Sequence, residues 1–156
     1  MAKIEVSRRI AADPDLVFDR AADVANAAEF IGAVTKSEIL TDGPVGVGTR
    51  FRESRVMFGR EATEEMEFVE FERPSHYAVE AESCGARYYS VLRCTPVEGG
   101  TEVSMSFEGT PLSFFARIMS ILMKPMMKKI GKQLLKDLDD LAAVCEADAA
   151  KASPGS

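Results

Sequence analysis

The feature that most constrains this chain is a change in hydrophobic period. From Val34 to Glu108 short runs alternate apolar and polar residues, separated by tight turns. From Leu112 to about Asp148 apolar residues recur every three or four positions. Period two places alternate side chains on opposite faces of a strand, and a spacing of three to four gathers them along one stripe of a helix. Six strands are predicted in the first region: Val34 to Leu40, Thr49 to Phe58, Arg60 to Glu72, Tyr77 to Glu82, Arg87 to Val97 and Thr101 to Glu108. The turns between them are Thr41 to Gly48, Gly59, Arg73-Pro74, Cys84-Gly85 and Glu98-Gly99-Gly100. Gly109-Thr110-Pro111 is read as the end of the last strand. A further strand opens the chain at Lys3 to Ala11, and Asp13-Pro14 starts one or two short helices that end near Phe30-Ile31-Gly32. Asp13 is expected to cap orphan N–H groups there, with Pro14 in the first turn.

Strands joined by hairpin turns pair antiparallel, and one long amphipathic helix must cover a face of the sheet they form. The helical stripe runs through Phe114, Ile118, Leu122, Met126, Ile130, Leu134, Leu138, Leu141 and Cys145, with a kink or break expected at Pro125. No internal repeat or linker is visible. The expectation is one α+β domain over residues 1–148, with 149–156 as a flexible tail.

Composition removes several function classes. The 156 residues include no Trp and a single His, so a multi-histidine metal centre is excluded and no metal site is expected. The net charge of −6 disfavours nucleic acid as a partner. Cys84, Cys94 and Cys145 are odd in number, widely spaced and without a CxxC, which fits reduced thiols in a cytoplasmic protein. The start lacks the apolar core of a signal peptide. The apolar stretch near Pro111 to Met127 is interrupted by Arg117, Lys124 and Pro125, too often for a membrane span. The loop glycines do not form a phosphate loop, because no GKS or GKT follows them, and no cofactor is expected.

Three segments carry a resemblance to a known superfamily. They are Asp13-Pro14-Asp15-Leu16-Val17-Phe18 with Ala22-Asp23-Val24, then Gly43-Pro44-Val45-Gly46-Val47-Gly48-Thr49-Arg50-Phe51, then Phe68-Val69-Glu70-Phe71-Glu72-Arg73-Pro74 with Gly99-Gly100-Thr101-Glu102-Val103 and the last helix. Together they make the chain resemble the START-like (SRPBCC) superfamily. Within it the chain is most similar to the polyketide cyclase/dehydrase and coenzyme Q-binding-like proteins. The resemblance implies a helix-grip fold, a curved seven-stranded antiparallel sheet wrapped around the C-terminal helix. It also implies a cavity between sheet and helix, with the glycine-rich loop near its mouth. The superfamily includes carriers, cyclases and regulators, so fold alone does not choose among them.

Alternation assigns residues to the expected cavity wall. Phe51, Glu53, Arg55 and Met57 share one face of the third strand. Met66, Tyr77, Tyr88, Leu92, Met105 and Phe107 follow from the later strands, and Phe30, Met119, Leu122, Met126 and Ile130 from the helical side. A bulge near Phe68 would bring both Phe68 and Phe71 inward. Glu53 and Arg55 are the informative pair. If they face the cavity, they pair with each other or with a polar ligand; the other reading turns them to solvent. Arg55, Tyr77 and Tyr88 are the catalytic candidates, as groups that could polarise a carbonyl. His76 has parity opposite to Tyr77, and no Ser or Cys stands at a spacing that would make it a catalytic base.

Two charge patterns remain. The fourth strand carries Glu61, Glu64, Glu65, Glu67, Glu70 and Glu72, so Arg50, Arg52, Arg87 or Arg93 should face it. Lys124, Lys128, Lys132 and Lys136 recur every four residues, either as a solvated helix face or as a contact for an anionic membrane. Three functions follow: a binding or carrier protein for a small apolar or amphipathic (lipid-, polyketide- or isoprenoid-like) ligand; a polyketide cyclase/dehydratase-type enzyme; or a regulatory, partner-binding module. The sequence leaves ligand identity and oligomeric state open.

Overall fold

The computed structural model describes residues 2–57, 59–83, 85–114, 117–118, 121 and 127–151. Seven strands form one sheet: β1 (Ala2–Ile10), β2 (Val34–Ile39), β3 (Arg50–Met57), β4 (Arg60–Glu72), β5 (His76–Ser83), β6 (Ala86–Val97) and β7 (Gly100–Pro111). Their spatial order is β1-β7-β6-β5-β4-β3-β2, with every neighbouring pair antiparallel. Helix α1 (Pro14–Ala22) and a 3-10 helix (Val24–Glu29) lie between β1 and β2, and α2 (Met127–Lys151) follows β7. This is the helix-grip arrangement of a curved sheet closing on a C-terminal helix.

Local details depart from the sequence reading in instructive ways. β7 continues through Gly109-Thr110-Pro111 because Ala86 to Tyr88 of β6 pair with it there. Pro111 is tolerated as its last residue, where a missing donor costs little. Asp13 makes no side-chain cap; its backbone carbonyl accepts from Val17 N (3.0 Å), and Pro14 occupies the first turn. Helix α2 runs on to Lys151 rather than ending near Asp148. Pro125 lies outside the described residues. The expected bulge in β4 is present, with the register against β5 shifting between Phe68 and Glu70. It allows Phe68 and Phe71 to share one aromatic cluster with rings 5.4 Å apart.

The main core lies between one end of the concave sheet face and the helices. Ile10, Leu92, Cys94 and Val103 from the sheet meet Val17 and Phe18 of α1 and Leu138, Leu141, Ala142 and Cys145 of α2. A second cluster joins Val24, Phe51 and Phe68. Turn geometry at this end is exacting. Gly99 has a φ of 78° in the β6–β7 hairpin. A Cβ at Gly100 would stand 2.2 Å from the Ile10 carbonyl oxygen, closer than any side chain allows.

Candidate functional site

The concave face is packed at one end only. Along β6, Cys94 and Leu92 are 4% and 2% exposed, and their cross-strand neighbour Val103 is fully buried. Two and four residues further along the same face, Ser90 and Tyr88 are half-buried. So are Val79 and Ala81 on β5, Met66 on β4 and Met105 and Phe107 on β7. The Tyr88 and Phe107 rings stack with centroids 5.3 Å apart and planes 20° off parallel. Gly109, opposite Tyr88, gives that ring its place: a Cβ there would touch the ring at 3.3 Å. The half-buried end therefore presents aromatic, thioether and small polar groups on one continuous surface.

A charged network faces α2 from β3 at the edge of this surface. Arg55 Nε donates to Glu53 Oε1 and Arg55 Nη1 to Asp137 Oδ2, both at 2.8 Å. Gln133 Nε2 donates to the other Asp137 oxygen at 3.1 Å. The side chains of Arg55, Glu53 and Asp137 are only 20%, 13% and 7% exposed. Burial by itself would lower the basicity of Arg55, but Glu53 and Asp137 more than reverse that, so its guanidinium stays charged. The Glu53/Arg55 alternative is thus resolved in geometry: both side chains turn toward the helix. Asp137 was not evident in the sequence, although its spacing from Leu134, Leu138 and Leu141 places it on the inward half of the helix.

The same helix is tied at other points. On the β1 side, Arg8 Nε lies 3.3 Å from Asp139 Oδ1. On the β2 side, Gly32 N donates to Asp140 Oδ2 at 2.9 Å, and Lys136 Nζ bonds the same carboxylate. Burial opposes ionisation of Asp140, but Lys136 and the Gly32 N–H outweigh it and hold the carboxyl below its usual range. From α1, Arg20 Nε donates to Asp148 Oδ2 at 2.6 Å. Polar contacts thus tie α2 to the sheet at several points, and Leu138, Leu141, Ala142 and Cys145 of its apolar face pack on the filled end.

The sequence-assigned wall divides between two environments. Phe51 and Leu92 sit in packed core, and half-buried Tyr77 packs against it. The Tyr77 hydroxyl donates to the Ala21 carbonyl (3.2 Å), and burial above all pushes its pKa up. Phe30 packs on the core margin beneath the Arg20 guanidinium, 5.5 Å from its ring centre. Met66, Tyr88, Met105 and Phe107 occupy the half-buried end, and Ile130 is half-buried on α2. The Met57 side chain, Met119, Leu122 and Met126 lie outside the described residues. Ser90 and Val79, which complete the half-buried surface, follow from the parity of Tyr88 and Tyr77.

The convex face carries further charged contacts. Arg52 meets Glu38 at 2.8 Å and Glu65 at 3.6 Å, and Arg50 lies 4.0 Å from Glu67. Arg87 pairs instead with Glu82 at 2.8 Å. His76 turns away from Tyr77, with Ser75 Oγ 3.1 Å from Nδ1 and Glu70 Oε1 3.4 Å from Nε2. A Ser–His contact therefore exists, but on the opposite side of the sheet from the half-buried surface. Lys128 and Lys132 are exposed, Lys136 is held by Asp140, and Lys124 lies outside the described residues. Among the described residues no helix is long and apolar enough to cross a membrane.

Comparison with known proteins places this geometry. The sequence matches the family described as polyketide cyclase/dehydrase and lipid transport over residues 1–146. No curated protein matches it significantly. Among solved structures, the protein TTHA0849 of Thermus thermophilus is similar at a TM-score of 0.78 and 19% identity, covering 95% of this chain and 99% of its own. The Zhui aromatase/cyclase of Streptomyces sp. R1128 gives 0.75 at 17% identity, with 93% of each chain covered. The di-domain aromatase/cyclase StfQ of the steffimycin biosynthetic pathway gives 0.76 at 13% identity, covering 95% of this chain and 51% of that one. At such identities the likeness is one of fold, while the sequence match extends over nearly the whole chain. The half-buried concave face is thus carried on a framework shared with aromatase/cyclases, and the chain belongs to the polyketide cyclase/dehydrase and lipid transport family.

Proposed function

We propose that the protein binds and carries a small apolar or amphipathic molecule, lipid-, polyketide- or isoprenoid-like, against the half-buried end of the concave face. The observation that carries this reading is the burial gradient along a single strand, from Leu92 at 2% exposed to half-buried Ser90 and Tyr88. A sheet face that needed only a core would be covered along its whole length. This one leaves the stacked Tyr88 and Phe107, with Met105 and Met66, short of full cover. Aromatic rings give an apolar ligand large contact area, and Met adapts to its shape.

The buried network supports carriage over catalysis. Arg55 already satisfies two carboxylates, and the Tyr77 hydroxyl is spent on a backbone carbonyl in the core. Neither is placed to polarise a substrate carbonyl. Tyr88 lies at the half-buried end, stacked on Phe107, and is the residue on which an enzymatic reading rests. Buried, unpaired Cys94 and Cys145 suit a reducing compartment such as the cytoplasm.

Ser90→Trp tests the reading. Ser90 stands opposite Val79 on β5 and Phe107 on β7, so an indole there fills the space assigned to the ligand. The wild type should enhance the fluorescence of an apolar naphthylamine probe and release bound lipid on solvent extraction, and the variant should do neither. No probe binding by the wild type, or equal binding by a folded Ser90→Trp, would refute it.

A further inference from the structure

The residues leading into α2 combine two properties. Between Glu108 and Asp137 there is no acidic residue, while Arg117, Lys124, Lys128, Lys129, Lys132 and Lys136 add six positive charges. Since the whole chain carries −6, the remainder stands at −12. The same stretch holds the most exposed apolar side chain described. Phe114 is 78% exposed, Ile121 57%, Leu112 52% and Ile118 42%. Phe114, Ile118 and Ile121 are helical positions four and three apart, and Arg117 N donates to Ser113 O as a helical turn requires. That spacing puts the three side chains on one stripe, and the stripe faces outward.

Its position is fixed by backbone contacts. Leu112 N donates to Gly85 O, so the stretch leaves the sheet at the β5–β6 turn. The first turns of α2 cover the same end, where a Cβ on Gly131 would touch the Ile4 side chain, and Ile4 pairs with Phe107. This is the half-buried end of the concave face.

We propose that this surface docks on an anionic lipid bilayer, with Phe114, Ile118 and Ile121 entering the headgroup–acyl boundary and Lys128 and Lys132 set against the headgroups. An outward apolar stripe demands a partner. Lysine is depleted in interfaces between proteins, whereas an aromatic and aliphatic stripe joined to lysines is the composition of helices that lie in a membrane surface. Confining the cationic stretch to one end of an acidic protein orients that end toward a negative surface and repels the rest. The inference does not depend on the concave face holding a ligand, because docking is read without one.

Vesicle flotation of the full chain tests it. The protein should float with phosphatidylcholine vesicles containing phosphatidylglycerol and stay behind with phosphatidylcholine alone, and added salt should release it. Lys128→Ala and Lys132→Ala should each weaken binding about fivefold. Phe114→Ser should weaken it about tenfold. Lys36→Ala, an exposed lysine on β2, should leave it unchanged. All four variants should melt like the wild type by circular dichroism. The proposal is overturned if the wild type fails to float with anionic vesicles at low salt. It is equally overturned if Lys36→Ala weakens binding as much as Lys128→Ala. A concentration-dependent dimer that Phe114→Ser dissociates, without vesicle binding, would overturn it by assigning the surface to a second copy of the chain.

Discussion

Replacing Arg55 by Met isolates what the buried network contributes. Methionine keeps much of the aliphatic reach and removes the charge, so Glu53 and Asp137 face each other across an apolar side chain. Removing one partner of a buried ion pair costs about 3–5 kcal/mol, because the charge left behind is uncompensated. Arg55 at 20% and Glu53 at 13% keep some access to water, and Asp137 keeps its bond from Gln133. These features place the cost at the lower end, about 3 kcal/mol. For a chain of this size each kcal/mol lowers the melting temperature by about 2–4 °C, so the variant should melt about 6–12 °C lower. The chain has no Trp, so urea unfolding is best followed by far-ultraviolet circular dichroism. A double-mutant cycle with Asp137→Asn should return a coupling of about 2 kcal/mol. A loss below about 1 kcal/mol for Arg55→Met, the range of exposed pairs, would refute the argument that the network is a buried anchor. So would additivity within about 0.5 kcal/mol in the cycle.

Two further outcomes follow from the packed end. Gly100→Ala should destabilise by about 2 kcal/mol or more, since the added Cβ meets the Ile10 backbone oxygen rather than a movable side chain; an unchanged urea midpoint would contradict the contact. Burial pushes the Cys94 and Cys145 thiols up to about 12, so both should resist iodoacetamide in the native protein and react after unfolding. Peptide mapping by mass spectrometry reads this directly, and rapid native labelling of either thiol would show that the core opens.

Much of the site was legible because alternation is a strong local signal. Tyr88 set the parity that put Ser90 on the same face. Parity also put Glu53 and Arg55 on the face of Phe51 but left open whether they meet the helix or solvent, and the contact of Arg55 with Asp137 turns them to the helix. The β4 bulge was legible too, since Phe68 and Phe71 could not both be core without it. Asp13 shows the limit of such reasoning. Its side chain is a good cap by type, yet the backbone carbonyl alone serves the turn. Asp140 shows another: nothing local to the helix signals that it accepts the Gly32 N–H from 108 residues away.

The sequence by itself determined the order of elements, the antiparallel pairing and which residues of a regular strand share a face. These follow from period two, period three to four and the glycine turns, all of which act within a few residues. Tertiary structure alone decided which part of the concave face is filled. That depends on where α2 lies on the sheet, which joins pairs from distant parts of the chain, Arg55–Asp137, Gly32–Asp140 and Arg8–Asp139, with the buried Leu138, Leu141, Ala142 and Cys145. Parity gave Leu92 and Tyr88 the same face, and the helix crossing made one of them core and left the other half-buried.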